Sequence, residues 1–526
     1  VINIISNSVK AYIADGIALS GAISDVILGA ELESQTEAKA ESGAGSTSAT
    51  SINGAVALNV SISSVEAYLG ISSEALNAGG DVTVSARNIN QVSGEASGVA
   101  AGSKVGIGIA LVINVVTDKT LATTKRNIRA DGSVSFKAEG ASGSSTTAKA
   151  GTNGGEPAAE GSDPSTTPEG EESGVDKEIN KLLGFLNKTS EEKGIEKKAN
   201  DEDEGKIPEK TPQKAETSEG GINVAGAVAL NIVTSTIEAY IPSGITIVAG
   251  GPLILKANHN TDSAAIADAS AVDPDSAKTG GKIGVGVAVA INVATTKALA
   301  YIDEGANISA GGLNIIVGMT EIAGEDDAEG NPTTDKVNTH KVEAISGAGA
   351  SNVGVAGGAA INVLVTDALA YTDSPVEITA VGGADSDVVI TAASASEGTV
   401  NAGAAIKNTG GEAKVGVGAS VVINIISNTV QAYIADGMGL TGAIKNVTLG
   451  ADLESKTEAK GESGAGSTSA TSINGAIVLN VVIGTAEAYF GSGADLISSG
   501  DIDVSARNIN QVSGEASGVA AGSKVG

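Results

Sequence analysis

The chain contains no cysteine and no tryptophan, and only 3 phenylalanines, 2 histidines and 10 prolines in 526 residues. Without cysteine there are no disulfides and no thiolate metal sites. An aromatic content of 2% is far below what a globular enzyme uses to fill its core. Basic residues are also scarce: 32 against 62 acidic ones, a net charge of −30. That balance argues against nucleic acid and anionic membrane surfaces as partners and favours solubility. No run of about 20 apolar residues occurs, so no transmembrane helix is expected.

Catalytic constellations are missing as well. His259 and His340 fall at unrelated places in the chain and read as surface residues rather than as a base or a ligand. No Ser-His-Asp set, Cys/His zinc pattern, P-loop or Rossmann spacing can be assembled. No acidic cluster with a nearby Arg or Lys marks a carbohydrate-cleaving groove. The expectation is a protein that is not an enzyme and has no cofactor. Turn acids such as Asp15, Asp303 and Asp436 leave room only for weak calcium association, because neither the nonapeptide calcium repeat nor the EF-hand spacing occurs.

What is present is repetition. All seven tyrosines, Tyr12, Tyr68, Tyr240, Tyr301, Tyr371, Tyr433 and Tyr489, follow an alanine and lie nine residues after an asparagine. Those asparagines are Asn3, Asn59, Asn231, Asn292, Asn362, Asn424 and Asn480, and an eighth unit keeps the frame with Asn114, Ala122 and Thr123. The steps between successive asparagines are 56, 55, 117, 61, 70, 62 and 56 positions, so the long step from Asn114 to Asn231 carries an insertion. A super-repeat of about 420 residues restarts at 422, and SARNINQVSGEASGVAAGSKVG occurs twice unchanged. The pattern at both ends reads as a window from a longer tandem array. A residue type confined to one register of a tandem unit is a stacking position in a solenoid.

Within a unit, Ile283 to Val293 alternates branched residues (Ile283, Val285, Val287, Val289, Ile291, Val293) with small ones (Gly284, Gly286, Ala288, Ala290, Asn292). Period-two alternation makes this a β-strand. Neither set is charged, which predicts burial of both faces, with the small face against another backbone layer. The asparagines are expected to form an amide ladder along the solenoid axis, and the tyrosines a ring-over-ring ladder at one edge. Glycine pairs such as Gly79–Gly80, Gly250–Gly251 and Gly311–Gly312 are read as positive-φ corners. The fold expected is therefore an all-β, parallel β-helix-like solenoid with units of about 56–62 residues. Each unit reads equally well as one broad coil or as about three ordinary ones.

Residues 1–150 and 220–526 carry the units; 151–219 is an acidic low-complexity insertion rich in Pro, Glu, Lys, Ser and Thr, unable to build a core. Its one helix candidate is 176–188, with Ile179, Leu182, Leu183 and Leu186 on one face and Asp176 as N-cap. Placed at a turn, the insertion is expected to protrude.

GVGVAVAINVATTKALAYIDEGANISAGG (284–312) and NAGGDVTVSARN (77–88) resemble the repeat regions of giant bacterial exoproteins, the filamentous-haemagglutinin-like and leukotoxin-like adhesins. That resemblance implies β-helical repeats, secretion to the cell surface, and filament formation or adhesion. The unit here is much wider than the filamentous haemagglutinin repeat. The leading expectation is an extracellular structural fibre whose partner is itself, end to end or as the continued chain. The alternative is an adhesin presenting its loop edge and the insertion to a receptor or glycan. A transmembrane β-barrel ranks third, because polar lumen faces and paired aromatic girdles are missing.

Overall fold

A computed structural model describes residues 1–19, 21–45, 50–101, 105–152, 222–270, 283–323, 334–348, 353–380, 386–406 and 415–525. The insertion at 151–219, with its expected helix, thus lies almost wholly outside the described residues. Those residues form an all-β, parallel solenoid without helix.

Each unit is one wide coil, not three. In the second coil the chain runs along Thr50–Leu69, crosses through the short strand Leu76–Ala78, and returns along Val82–Ala101. Strand Val105–Thr124 then begins the next coil, in register above Thr50–Leu69. Outgoing strands stack into one long parallel sheet and returning strands into another, with the short strands forming a narrow third side. The seventh returning path and the eighth outgoing one are continuous in Ile444–Phe490, whose first half belongs to the second sheet and whose second half belongs to the first, and Ile502–Val525 is the last return.

Two different cores result. Near the narrow side, where three sheets meet, the interior takes large residues: Leu69, Leu76, Ile128, Phe136, Ile237 and Leu253 are fully buried. At the opposite edge only two sheets face each other, and the core is nearly all alanine, including Ala57, Ala110, Ala227, Ala267 and Ala290. A Cβ added to Gly286 would sit 2.4 Å from the Gly347 carbonyl oxygen and 2.6 Å from that of Ala269. The small face is turned to a backbone layer at close range, with no room for a side chain.

The branched face is not buried, contrary to the sequence expectation. Along Ile283–Ile302 the small positions are buried, whereas Ile283, Val285, Val287, Val289, Ile291 and Val293 point outward, and Val287 is 45% exposed. Absence of charge is silent about which side faces in. The separation of the sheets decides it, because the thin interior takes chiefly glycine, alanine and small polar residues, with an occasional valine such as Val112 or Val422.

The corner glycines also differ from expectation. Gly79, Gly80, Gly250, Gly251 and Gly311 do not have positive φ. At Gly80 and Gly250 the need is close approach: a Cβ on Gly250 would lie 2.2 Å from the Asp131 carbonyl oxygen. Of the expected pairs only Gly312 has positive φ, at 158°. Gly21 and Gly442 are positive too, and a regular set of left-handed corners lies at Gly16, Gly244, Gly305, Gly437 and Gly493, four residues past a tyrosine, with φ from 71° to 80°.

Candidate functional site

The asparagines of all eight coils share one column: Asn3 aligns with Asn59, Asn59 with Asn114, and so on to Asn480. They point inward, between the alanine core and a separate buried row that includes Val116, Val233, Leu364 and Ile426. Asn59 uses both amide hydrogens. Its Nδ2 donates to Asn114 Oδ1 at 2.9 Å and across the interior to the Ser93 carbonyl at 2.7 Å. Asn231 donates to Asn292 at 3.0 Å, Asn292 to Asn362 at 2.8 Å, Asn362 to Asn424 at 2.9 Å, and Asn424 to Asn480 at 2.9 Å. These links all run in the same direction along the axis, and the cross-links tie the two long sheets together.

The tyrosines occupy a second column, on the outer side of the same strands. Ring centroids are 4.9 Å apart for Tyr240–Tyr301, 5.1 Å for Tyr301–Tyr371, 4.8 Å for Tyr371–Tyr433 and 5.1 Å for Tyr433–Tyr489, with planes within 9°. Tyr12 and Tyr68 form a separate stacked pair at 5.3 Å. Partial burial and the acidic residues Glu238, Asp303 and Asp373 push the phenols of Tyr301, Tyr371 and Tyr433 well above their ordinary range. The column is therefore uncharged at any physiological pH.

Both ladders break at the third coil. Thr123 replaces the tyrosine and donates to the Tyr240 carbonyl at 2.9 Å, while Lys125 places its Nζ 4.8 Å from the centroid of the Tyr68 ring. In the asparagine column, Ser144 Oγ intervenes and donates to Asn231 Oδ1 at 2.5 Å, while Asn114 Nδ2 turns to the Ser145 carbonyl at 2.7 Å. Arg126 ties the third coil to the two before it. Only 2% exposed, it donates to the carbonyls of Gly70, Ile17 and Ala14 at 2.6, 2.9 and 3.2 Å, clamping the corners of two preceding coils. In the sequence, the missing tyrosine and the long step from Asn114 to Asn231 both marked this coil.

Both histidines are buried, which corrects the expectation of surface positions: His259 is 0% and His340 1% exposed. They enter the second long sheet where its fifth rung is interrupted between Leu313–Met319 and Asn338–Ala348. His340 Nδ1 shares a 2.6 Å hydrogen bond with Ser263 Oγ, and burial pulls its pKa down to about 3. Burial lowers His259 to about 4, outweighing the Ala393 backbone and the Asn338 amide, which favour the charged ring. Asp118 is buried in the third coil, and its carboxylate accepts from Ser63 Oγ, Asn90 Nδ2 and Ser142 Oγ. Desolvation raises it to about 6 against those hydrogen bonds. The Ser263–His340 contact lies in the interior, at 2% and 1% exposure.

The turn acids cap neighbouring coils. Asp15 Oδ1 accepts the Ile71 N–H at 2.7 Å, and Asp436 Oδ1 the Ser492 N–H at 2.7 Å. Asp303 Oδ1 accepts from the next residue in its own turn, the Glu304 N–H, at 3.0 Å. Among the described residues no group of 3 or more His, Cys, Asp or Glu comes together as metal ligands.

Comparison with family models, curated proteins and solved structures gives no match. The chain is a parallel β-solenoid of tandem repeats, and the regular features among the described residues are its asparagine and tyrosine ladders.

Proposed function

We propose that this chain is a non-catalytic, tension-transmitting segment of a secreted bacterial surface fibre. The observation that supports it best is the unbroken register of the first long sheet. Strand Ile283–Ile302 pairs residue for residue with both neighbours, Ile222–Ile241 and Val353–Thr372, so backbone hydrogen bonds run along the solenoid axis. The asparagine and tyrosine columns add side-chain order in the same direction. Such an object transmits force along its length and keeps a fixed outline, as a fibre needs.

The reading is tested by imaging the chain in negative stain and stretching it by single-molecule force spectroscopy. Straight rods growing by about 4.8 Å per rung, with stepwise release of whole coils, are expected. Compact particles that extend without steps, or saturable binding of single chains to a glycan, would move the protein from fibre to adhesin.

A further inference from the structure

The outer face of the first long sheet, over the alanine-core half of its strands, is a grid of branched side chains without any charge. From the third coil to the eighth its columns hold Ile109, Val228, Val289, Ile361, Ile423 and Leu479 among similar neighbours, and glycine or alanine elsewhere. Ile109 is 48% and Val228 37% exposed although both lie in inner coils. Six rungs at about 4.8 Å and eleven residues at about 3.3 Å each give a flat area on the order of 1,000 Å². The largest apolar patch on a typical monomer is about 300–600 Å². Parallel sheets rarely leave such a face to water.

We infer that this face pairs with the same face of a second copy of the chain, forming a four-layered sandwich of two solenoids side by side. Size favours this occupant: a stable interface takes about 800 Å² from each partner, and the grid exceeds it. Charge favours it too. With a net charge of −30, two copies repel each other where their acidic surfaces meet, and this face has no charge to oppose contact. Geometry completes the case. In the columns through Ile107, Ile113 and Val115 branched residues repeat at every rung, while the column through Ile109 holds Gly226, Gly357, Ala419 and Gly475, so ridges and a groove run along the axis and a copy of the grid can mesh with itself. Pairing rests on the fold alone and not on the fibre reading. End-on growth lengthens a rod at constant thickness, whereas face pairing doubles the thickness.

The test is small-angle scattering and sedimentation of the full chain beside two variants. One carries Val287→Glu, Ile361→Glu and Val421→Glu on the apolar face; the other carries Thr83→Glu, Thr399→Glu and Ser505→Glu on the opposite outer face. The unmodified chain and the second variant should be four layers thick and of dimer mass. The first variant should be two layers thick with unchanged circular dichroism, its pairing weakened on the order of a hundredfold or more by facing carboxylates. An unmodified chain that is two layers thick at its highest soluble concentration overturns the inference. So does a dimer that survives the first set of glutamates. Flotation of single solenoids with phosphatidylcholine vesicles would assign the face to lipid and overturn it equally.

Discussion

The two long sheets of one coil have opposite outer surfaces. On the first sheet, the strand beginning at Ile283 shows solvent a row of valine and isoleucine. On the second, the outer positions are charged and paired between rungs: Glu31 with Arg87, Lys39 with Glu95, Lys456 with Glu397, Arg507 with Asp452. Yet the interiors behind them, in the alanine-core half, are alike, built from glycine, alanine and small polar groups. Burial in this half of the molecule is therefore allotted by size rather than by polarity. The thin interior accepts what is small, and the outer face carries whatever its surroundings require, charge where it meets water and branched hydrocarbon where it meets another layer.

The sharpest way to break that comparison is to exchange sizes at adjacent residues. Gly286→Leu puts a side chain where even a Cβ meets two carbonyl oxygens. It should cost about 3 kcal/mol or more, at the top of the range for overpacking. Val287→Leu, one residue on and pointing out, should stay within about 0.5 kcal/mol. Thermal melts of the two variants decide the matter; equal effects would mean that the sheets are not closely apposed.

Interior titrating groups give the next effect. His259 is lowered to about 4 in the folded chain. The unfolded chain binds its proton at about 6.5, so the stability tied to the neutral ring is full above that pH. It is lost as pH falls from about 6.5 towards 4, by roughly 3 kcal/mol at most. His259→Gln should flatten this acid limb. Asp118 works in the opposite sense. Raised to about 6, it carries a penalty that is absent below the unfolded value and complete above about 6. Asp118→Asn should therefore stabilise the chain at pH 8 and change little at pH 4. Melting temperature against pH for the three proteins checks both signs.

Part of this arrangement could be read from residues alone. Asparagine and tyrosine are conspicuous and recur in one register, so their columns followed from the spacing. The single-coil width did not, because one long strand and several short ones share the same alternation. Nor did the burial of His259 and His340, whose surroundings are set by strands distant in the chain, as in the pairing of Ser263 with His340. The outward direction of Val287 was hidden for a different reason: alternation marks two faces, but only the partner sheet says which is inside.

The asparagine column offers a smaller test. Asn292→Ala removes the acceptor of Asn231 and the donor to Asn362 and Ser263. Asn231 keeps its bond to the Ser144 carbonyl at 3.1 Å, which limits the damage. The cost should be about 2 kcal/mol, that of leaving buried polar groups unpaired. A change under about 0.5 kcal/mol in chemical denaturation would reduce the column to a by-product of stacking.

The smallest effect belongs to the charged outer face. Arg87 contacts Glu31 at 2.5 Å and reaches Glu139 at 3.9 Å, spanning three rungs. Geometrically this resembles the asparagine column, a side chain linking coils along the axis. Its setting is the difference. Glu31 is 64% and Glu139 40% exposed, so water screens the pair and competes for both partners. Exposed ion pairs contribute about 0–1 kcal/mol, and less as salt rises. Arg87→Ala should therefore lower stability by no more than about 1 kcal/mol at low salt, with the difference shrinking in molar salt. Denaturant titrations at two ionic strengths measure it directly. A salt-insensitive loss of about 2 kcal/mol or more would mean that the polar face holds the coils together as firmly as the interior does, and the division of labour between the two sides would fail.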